Sequence, residues 1–392
     1  MNKTNDMIEK DAEFIYNIYS KKPFILKKAE GTYLYDDYGN QYLDFLSGIA
    51  VNTLGNRHHV VIKAIENQLS KYLHVSNFFH QEPQIKLAEK LISITGLSKV
   101  YFSNSGTEST EAAIKLSRAW ANTQGKNTII AIKGGFHGRT YGALSLMEQE
   151  SYKKNMYPFL ENCKIVDAND NIEEIINEDT AAVLFEVIQG EGGIRTMPVE
   201  FLNSLINLKA KYDFLIIVDE IQTGIGRTGR YFAYQNFNLQ PDIILSAKAL
   251  GGGLPLGAII CSEKVSSTWQ YGQHGTTFGG NPIACAAGLA VLDFISNQFL
   301  DDVKAKGEYL SQKLNDLKSK YPNISEIRGL GLMVGIKFNE ILAPDVVDSL
   351  FNHKVLVCKS SDNVVRILPP LNVSYQEIEI FLEKLEEVLH EL

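Results

Sequence analysis

Leu215-Ile-Ile-Val-Asp-Glu-Ile221 and Asp242-Ile-Ile-Leu-Ser-Ala-Lys-Ala-Leu-Gly-Gly-Gly253 each carry a short run, 215–218 and 243–245, that is apolar at every position. Such runs fit strands buried on both faces, since a half-exposed strand would alternate apolar and polar residues. Working outward, Val100-Tyr-Phe102, Thr128-Ile-Ile-Ala-Ile132 and Ala182-Val-Leu-Phe185 repeat the pattern, with helix-length segments between them. The runs predict an α/β fold with a mainly parallel central sheet covered by helices on both sides. The texture changes near residue 295. Val303, Leu310, Leu314 and Leu317 stripe a helix, and 331–338 and 355–357 read as strands. Ser374-Tyr-Gln-Glu377 is a capping box ahead of a last apolar stripe from Ile378 to Leu389. Near the other end, Phe14, Ile15, Ile18 and Tyr19 stand at helical spacing over 11–19, and two strands flank the turn Asp37-Tyr-Gly-Asn40. The expected organisation is a large domain over 51–292 and a smaller α+β domain over 293–392, with residues 1–50 packing on the smaller one.

A chain of 392 residues is longer than one hydrophobic core usually serves, which agrees with two domains. Its 38 basic and 46 acidic residues give a net charge of −8 without a basic stripe, a poor basis for binding nucleic acid or an anionic membrane. No apolar run approaches the ~18 residues of a membrane span, and the amino terminus lacks the apolar core of a secretory signal. A cytoplasmic protein is expected. Cys163, Cys261, Cys285 and Cys358 form no C-x-x-C pair and read as buried free thiols. The histidines include the doublet His58-His59 but no metal-binding pair, so no metal site is expected.

Lys248 is the first candidate for chemistry. It leaves the carboxyl end of an apolar strand, where open α/β sheets form their ligand crevice, and glycines follow it. Desolvation there would lower the amine's pKa and make it a nucleophile toward a carbonyl. Taken alone, the segment fits equally well a lysine that reaches from a strand end to solvent. Asp219 ends another apolar strand twenty-nine residues earlier. A carboxylate beside a protonated ring nitrogen, with a lysine imine nearby, is what pyridoxal phosphate needs from a protein. A phosphate site is visible too: Val100-Tyr-Phe-Ser-Asn-Ser-Gly-Thr-Glu108 runs from a strand through a small-residue turn into a helical segment. Gly106 and Thr107 would offer N–H groups and a hydroxyl at that helix start. By contrast, Gly224-Ile-Gly-Arg-Thr-Gly229 matches a dinucleotide-binding spacing, but Arg230-Tyr-Phe-Ala-Tyr234 lacks the apolar period of the helix such a motif requires. It reads as a glycine-rich loop.

Six ordered blocks resemble the class III aminotransferases, enzymes of fold type I that use pyridoxal 5'-phosphate. They are Asn104-Ser-Gly-Thr-Glu108, Gly135-Phe-His-Gly-Arg139, Glu186-Val-Ile-Gln-Gly-Glu-Gly-Gly193, Val218-Asp-Glu-Ile-Gln-Thr-Gly224, Ser246-Ala-Lys248 and Gly275-Thr-Thr-Phe-Gly-Gly-Asn-Pro282. The resemblance runs from about residue 12 to the carboxyl end. It implies that Lys248 carries the cofactor and shuttles a proton, and that Asp219 keeps the ring nitrogen protonated. Gln222 would bond the ring oxygen and Phe136 would stack on the ring. Gly106, Thr107 and Thr277 would hold phosphate, and Ser105, Glu220 and Ile221 would also contact the cofactor. Thr277 would reach across from a second subunit, which implies a homodimer with shared sites.

The same resemblance implies an amino donor and 2-oxoglutarate as substrates. Arg139 would clamp a substrate carboxylate, Thr276 would touch substrate, and Glu191 and Arg366 would form a switch pair. In that role Glu191 would cover Arg366 for the donor and leave it for the second carboxylate of 2-oxoglutarate. Within the family, Phe45-Leu-Ser-Gly-Ile-Ala-Val-Asn-Thr-Leu-Gly55 and Ser76-Asn-Phe-Phe-His-Gln-Glu-Pro83 are most similar to the enzymes of acetylornithine, a step of arginine biosynthesis. Those of ornithine, succinylornithine and 4-aminobutyrate are the alternatives. Asn56-Arg-His-His59 departs from the usual His-x-His-Pro pattern, and Ser109-Thr110 from the usual small residue and Asn.

Overall fold

The computed structural model describes residues 3–392. In chain order the strands are β1 (Leu26–Glu30), β2 (Tyr33–Asp36), β3 (Gln41–Asp44), β4 (Lys99–Ser103), β5 (Thr128–Ile132), β6 (Cys163–Val166), β7 (Thr180–Phe185), β8 (Ile188–Gln189) and β9 (Arg195–Thr196). They continue with β10 (Leu215–Asp219), β11 (Ile243–Ser246), β12 (Gly257–Cys261), β13 (Ile324–Leu330), β14 (Met333–Phe338), β15 (Val355–Leu356), β16 (Cys358–Ser360) and β17 (Val364–Ile367). The central sheet has seven strands in the order β4-β12-β11-β10-β7-β5-β6. Only β12 runs against the others, pairing antiparallel with β11 and β4.

Each continuous apolar run divides its residues between two cores, as side chains alternate across a pleat. Ile216, Val218 and Ile244 join one core with Phe201, Leu202 and Leu205 of the Val199–Tyr212 helix. Leu215, Ile217, Ile243 and Leu245 join the other with Ala112, Ala113 and Leu116 of the Gly106–Asn122 helix. Burying both faces this way is why these strands carry no polar alternation.

A second sheet, β13-β14-β17-β16, is backed by the Asn297–Lys320 and Tyr375–Glu391 helices through Val303, Leu310, Leu314, Phe381 and Leu385. The last helix begins with the capping box of Ser374 and Glu377. β1, β2 and β3 form an antiparallel sheet that β15 extends in parallel against β3. Leu43 and Phe45 belong to the same core as Val303, and Phe45 stacks on Phe381 at 4.7 Å.

Two expectations need correction. The helix near the amino terminus spans Lys3–Phe14, not 11–19, and Phe14, Ile15, Ile18 and Tyr19 are exposed. Among the described residues their period finds no partner face, while the mostly polar helix carries an Asp6–Lys10 pair at (i, i+4). The thiols are not uniformly buried either: Cys261 and Cys285 are, but Cys163 and Cys358 are half-buried. Among the described residues, no single helix is long and apolar enough to cross a membrane.

Candidate active site

β10 and β11 are neighbours, and both end at one cleft of about 450 Å³. Asp219 is the last residue of β10. Lys248 begins the one-turn segment after β11, with φ at +47°. A left-handed lysine costs of order 1–3 kcal/mol and persists only where its surroundings impose it. Here the turn into the glycines holds Lys248 in the wall of the cleft.

Asp219 is buried and held on both oxygens. Oδ2 lies 2.8 Å from His137 Nδ1, and Oδ1 accepts from the Ile221 N–H at 3.0 Å. His137 Nε2 is buried with no hydrogen-bond partner. Glu186 also lines the cleft and accepts from the N–H groups of Phe136 at 3.0 Å and Gly190 at 3.1 Å. Burial, and then the charge of Asp219, pushes the Glu186 carboxyl up to about 7. Burial also depresses the Lys248 amine, and the Arg366 guanidinium adds to that. The lysine that sequence could not separate from a surface residue is therefore desolvated beside a second cation.

Ser105 caps the Gly106–Asn122 helix, and the first internal helix bond runs from Ser109 N–H to Ser105 carbonyl. Gly106 and Thr107 line the cleft, and their N–H groups precede that bond, among those a helix start leaves without an internal partner. Glycine is required where loop 135–139 crosses this turn. Gly138 has φ of +128°, and a Cβ there would sit 2.2 Å from Thr107 Oγ1. Thr107 Oγ1 is also 2.8 Å from Thr140 Oγ1.

Phe136, Ile221 and Gln222 line the same cleft. Arg139 stands at its exposed end, with its guanidinium 3.5 Å from the Tyr152 ring centroid and 5.5 Å from that of Phe136. A cation stacked on rings keeps its N–H edge available for a carboxylate. Glu191 lies in the turn between β8 and β9, and Arg366 lies in β17. They meet: Arg366 Nη1 is 2.6 Å from Glu191 Oε1 and 3.1 Å from Gln222 Oε1.

Arg366 and Thr276 bond the lining residues Gln222 and Asn104 without lining the cleft themselves, Glu191 sits behind on Arg366, and two further expected residues lie elsewhere. Glu220 does not line the cleft; its carboxylate accepts from Thr223 Oγ1 and from the N–H groups of Ala233 and Tyr234, and burial pushes it up to about 7. Thr277 is exposed, away from its own chain's cleft, while Thr276 Oγ1 accepts from Asn104 Nδ2 at 3.0 Å. Conversely, His137, Glu186 and Tyr152 shape the site although the sequence reading gave them no role. The first two stand inside blocks quoted above.

A class-III aminotransferase profile matches residues 15–389. The chain belongs to the class-III aminotransferases. This aminotransferase is 42% identical over 392 residues to the acetylornithine aminotransferase of Caldanaerobacter subterraneus subsp. tengcongensis, covering 98% of this chain and 100% of that one. It is 44% identical over 384 residues to the acetylornithine aminotransferase of Clostridium acetobutylicum, covering 95% and 98%. A solved ornithine aminotransferase of Toxoplasma gondii, with partial occupancy of pyridoxal phosphate at its active site, superposes with a TM-score of 0.92. That pair is 29% identical and covers 98% and 94% of the two chains. Class-III aminotransferases use pyridoxal phosphate, and the fold is theirs, with its mostly parallel seven-stranded sheet.

Proposed function

We propose that this aminotransferase moves the δ-amino group of N2-acetyl-L-ornithine to 2-oxoglutarate, giving N-acetyl-L-glutamate 5-semialdehyde and L-glutamate. The carrying observation is one cleft that joins Lys248, the Asp219–His137 pair, Arg139 and the approach to Arg366. The donor rests on the two full-length relatives described above, both acetylornithine aminotransferases.

The donor set fits the cofactor group by group. Lys248 offers a desolvated amine to an aldehyde, Asp219 a fixed carboxylate to a ring nitrogen, and Gly106 and Thr107 helix-start N–H groups to a phosphate. Phe136 and Gln222 would bound the ring, with Ser105 and Ile221 beside them. When bound, pyridoxal phosphate supplies an electron sink for the carbon that loses its proton. The chain does the rest. Arg139 grips the donor's α-carboxylate at the mouth of the cleft, and Glu191 covers Arg366 so that no second carboxylate enters with the donor. Lys248, its amine depressed by burial, is the group placed to take the proton from the amino-bearing carbon and to carry it back. For the acceptor, Glu191 leaves Arg366, which then grips the second carboxylate of 2-oxoglutarate.

The working unit in this reading is a homodimer. Phe78, Phe79 and Phe278 are large, apolar and exposed, and Asn77 ties their segments together by donating to the Thr276 and Gly279 carbonyls. A second copy would cover this patch and receive Thr277 at its phosphate site. Residues 51–292 would form the large domain, and 293–392, with 1–50 against it, the small one. Assaying the purified enzyme for semialdehyde with N2-acetylornithine, ornithine and 4-aminobutyrate tests the donor. Preference for N2-acetylornithine supports the reading, and preference for either other amine reassigns it.

A further inference from the structure

β16 is three residues long and pairs antiparallel with β17, so Cys358 stands directly opposite Arg366. The Cys358 sulfur accepts a hydrogen bond from Arg366 Nε at 3.2 Å. Two residues on, Ser360 Oγ lies 2.9 Å from both the Gly190 and Glu191 carbonyls and accepts from the Gly193 N–H at 3.1 Å. The Glu191 carbonyl also accepts from the Ser361 N–H at 3.1 Å. The main chain of Glu191 is therefore clamped on β16, and only its side chain is left to move. One short strand seats both members of the pair.

We propose that β16 is the frame of the Glu191–Arg366 gate, with Cys358 as the positioning residue for Arg366 and Ser360 as the positioning residue for Glu191. The inference rests on the reading that Arg366 receives the second carboxylate of 2-oxoglutarate. A planar guanidinium grips a carboxylate through two parallel N–H bonds. With Nε held by the thiol, only the Nη1–Nη2 edge is offered, in a fixed plane, and that fixes how long a dicarboxylate the site accepts. Without the thiol, Nε loses its partner, and the single Nη1 bond to Gln222 Oε1 leaves the plane free to turn about it. Without the Ser360 hydroxyl, two carbonyls and an N–H lose a shared partner, and Glu191 covers Arg366 less well. The two losses thus act on opposite half-reactions.

The test follows each half-reaction of the holoenzyme separately, through the cofactor's visible band. Cys358→Ala should raise the KM for 2-oxoglutarate about tenfold, the usual scale for one hydrogen bond to a charged group, with the N2-acetylornithine KM within about twofold. Cys358→Ser restores the acceptor KM because a hydroxyl also accepts, and Cys358→Val, which keeps the packing, repeats the loss. Ser360→Ala should raise the donor KM about fivefold and leave that of 2-oxoglutarate unchanged or lower. A common shift of both half-reactions in either series, or no shift, overturns the proposal. Arg366→Gln separates the two levels. If it leaves the 2-oxoglutarate KM unchanged, the reading of Arg366 is wrong. If it raises that KM while Cys358→Ala does not, the reading stands and the frame is wrong.

Discussion

His137 Nδ1 lies 2.8 Å from Asp219 Oδ2, and both side chains are buried at the carboxyl end of β10. With the Ile221 N–H on its other oxygen, the carboxylate of Asp219 is aimed before any ligand arrives. A group aimed in advance needs no reorganisation when charge develops in front of it. That is the property expected of the partner of a ring nitrogen.

Asp219→Asn keeps the shape and removes the charge. Turnover should fall about 10²–10³-fold, the scale of a lost preorganised electrostatic contact. Cofactor content, read from the absorbance of the purified protein, should fall far less. An equal loss of both would make Asp219 an anchor and not an electronic partner.

Lys248→Ala removes the amine and the strained lysine together. Transamination should drop by more than about 10³-fold, as expected when nucleophile and proton carrier are one group. Circular dichroism and urea unfolding should show the native fold. Appreciable product from this variant would move the role to another residue.

Arg139→Lys exchanges a planar fork for a point charge. The donor KM should rise about tenfold or more with little change in kcat, because the grip is the same in ground and transition states. An unchanged KM would place the carboxylate clamp elsewhere.

The Lys248 amine is depressed by burial first and by Arg366 second. A lowered pKa means that the neutral, nucleophilic form is populated at lower pH than in an exposed lysine. The rate at which apoenzyme takes up pyridoxal phosphate should therefore rise with pH through a midpoint below about 10.4. Arg366→Gln should move that midpoint upward, since it removes a nearby positive charge. A midpoint at the ordinary lysine value in the native chain would contradict the burial argument.

Arg227 sits in the glycine-rich loop and is fully buried, with burial holding its guanidinium down at about 9. It donates to the carbonyls of Leu332, at 3.1 Å, and Pro369. Arg227→Ala leaves two buried carbonyls unpaired and a cavity, so stability should fall by about 3 kcal/mol in urea unfolding. A change under about 0.5 kcal/mol would mean that water replaces the guanidinium without loss.

What the sequence made legible follows burial. β5, β7, β10 and β11 lie inside the sheet with both faces covered, so their apolar runs announce them. β6 is at the sheet edge and exposes Lys164, which breaks its run. β12 begins with Gly257, where a Cβ would lie 2.4 Å from Ser103 Oγ, and small residues at a close crossing carry little strand signal. β17 is buried throughout, yet Arg366 interrupts its pattern, so the resemblance named the arginine while the strand beneath it went unread. Contacts between distant blocks had no local signature. His137 meets Asp219 across 82 positions, and Tyr152 meets Arg139 only because its loop folds back over the cleft. Glu220 was misplaced for the reverse reason: adjacent residues at a strand end point opposite ways.

The most direct test of the whole account is the visible spectrum of purified holoenzyme, titrated separately with N2-acetylornithine, ornithine and 4-aminobutyrate. The account predicts a yellow protein whose band bleaches at far lower N2-acetylornithine than either other amine, and returns when 2-oxoglutarate is added. A protein that stays colourless after pyridoxal phosphate is supplied, or one that bleaches first with ornithine or 4-aminobutyrate, would contradict it.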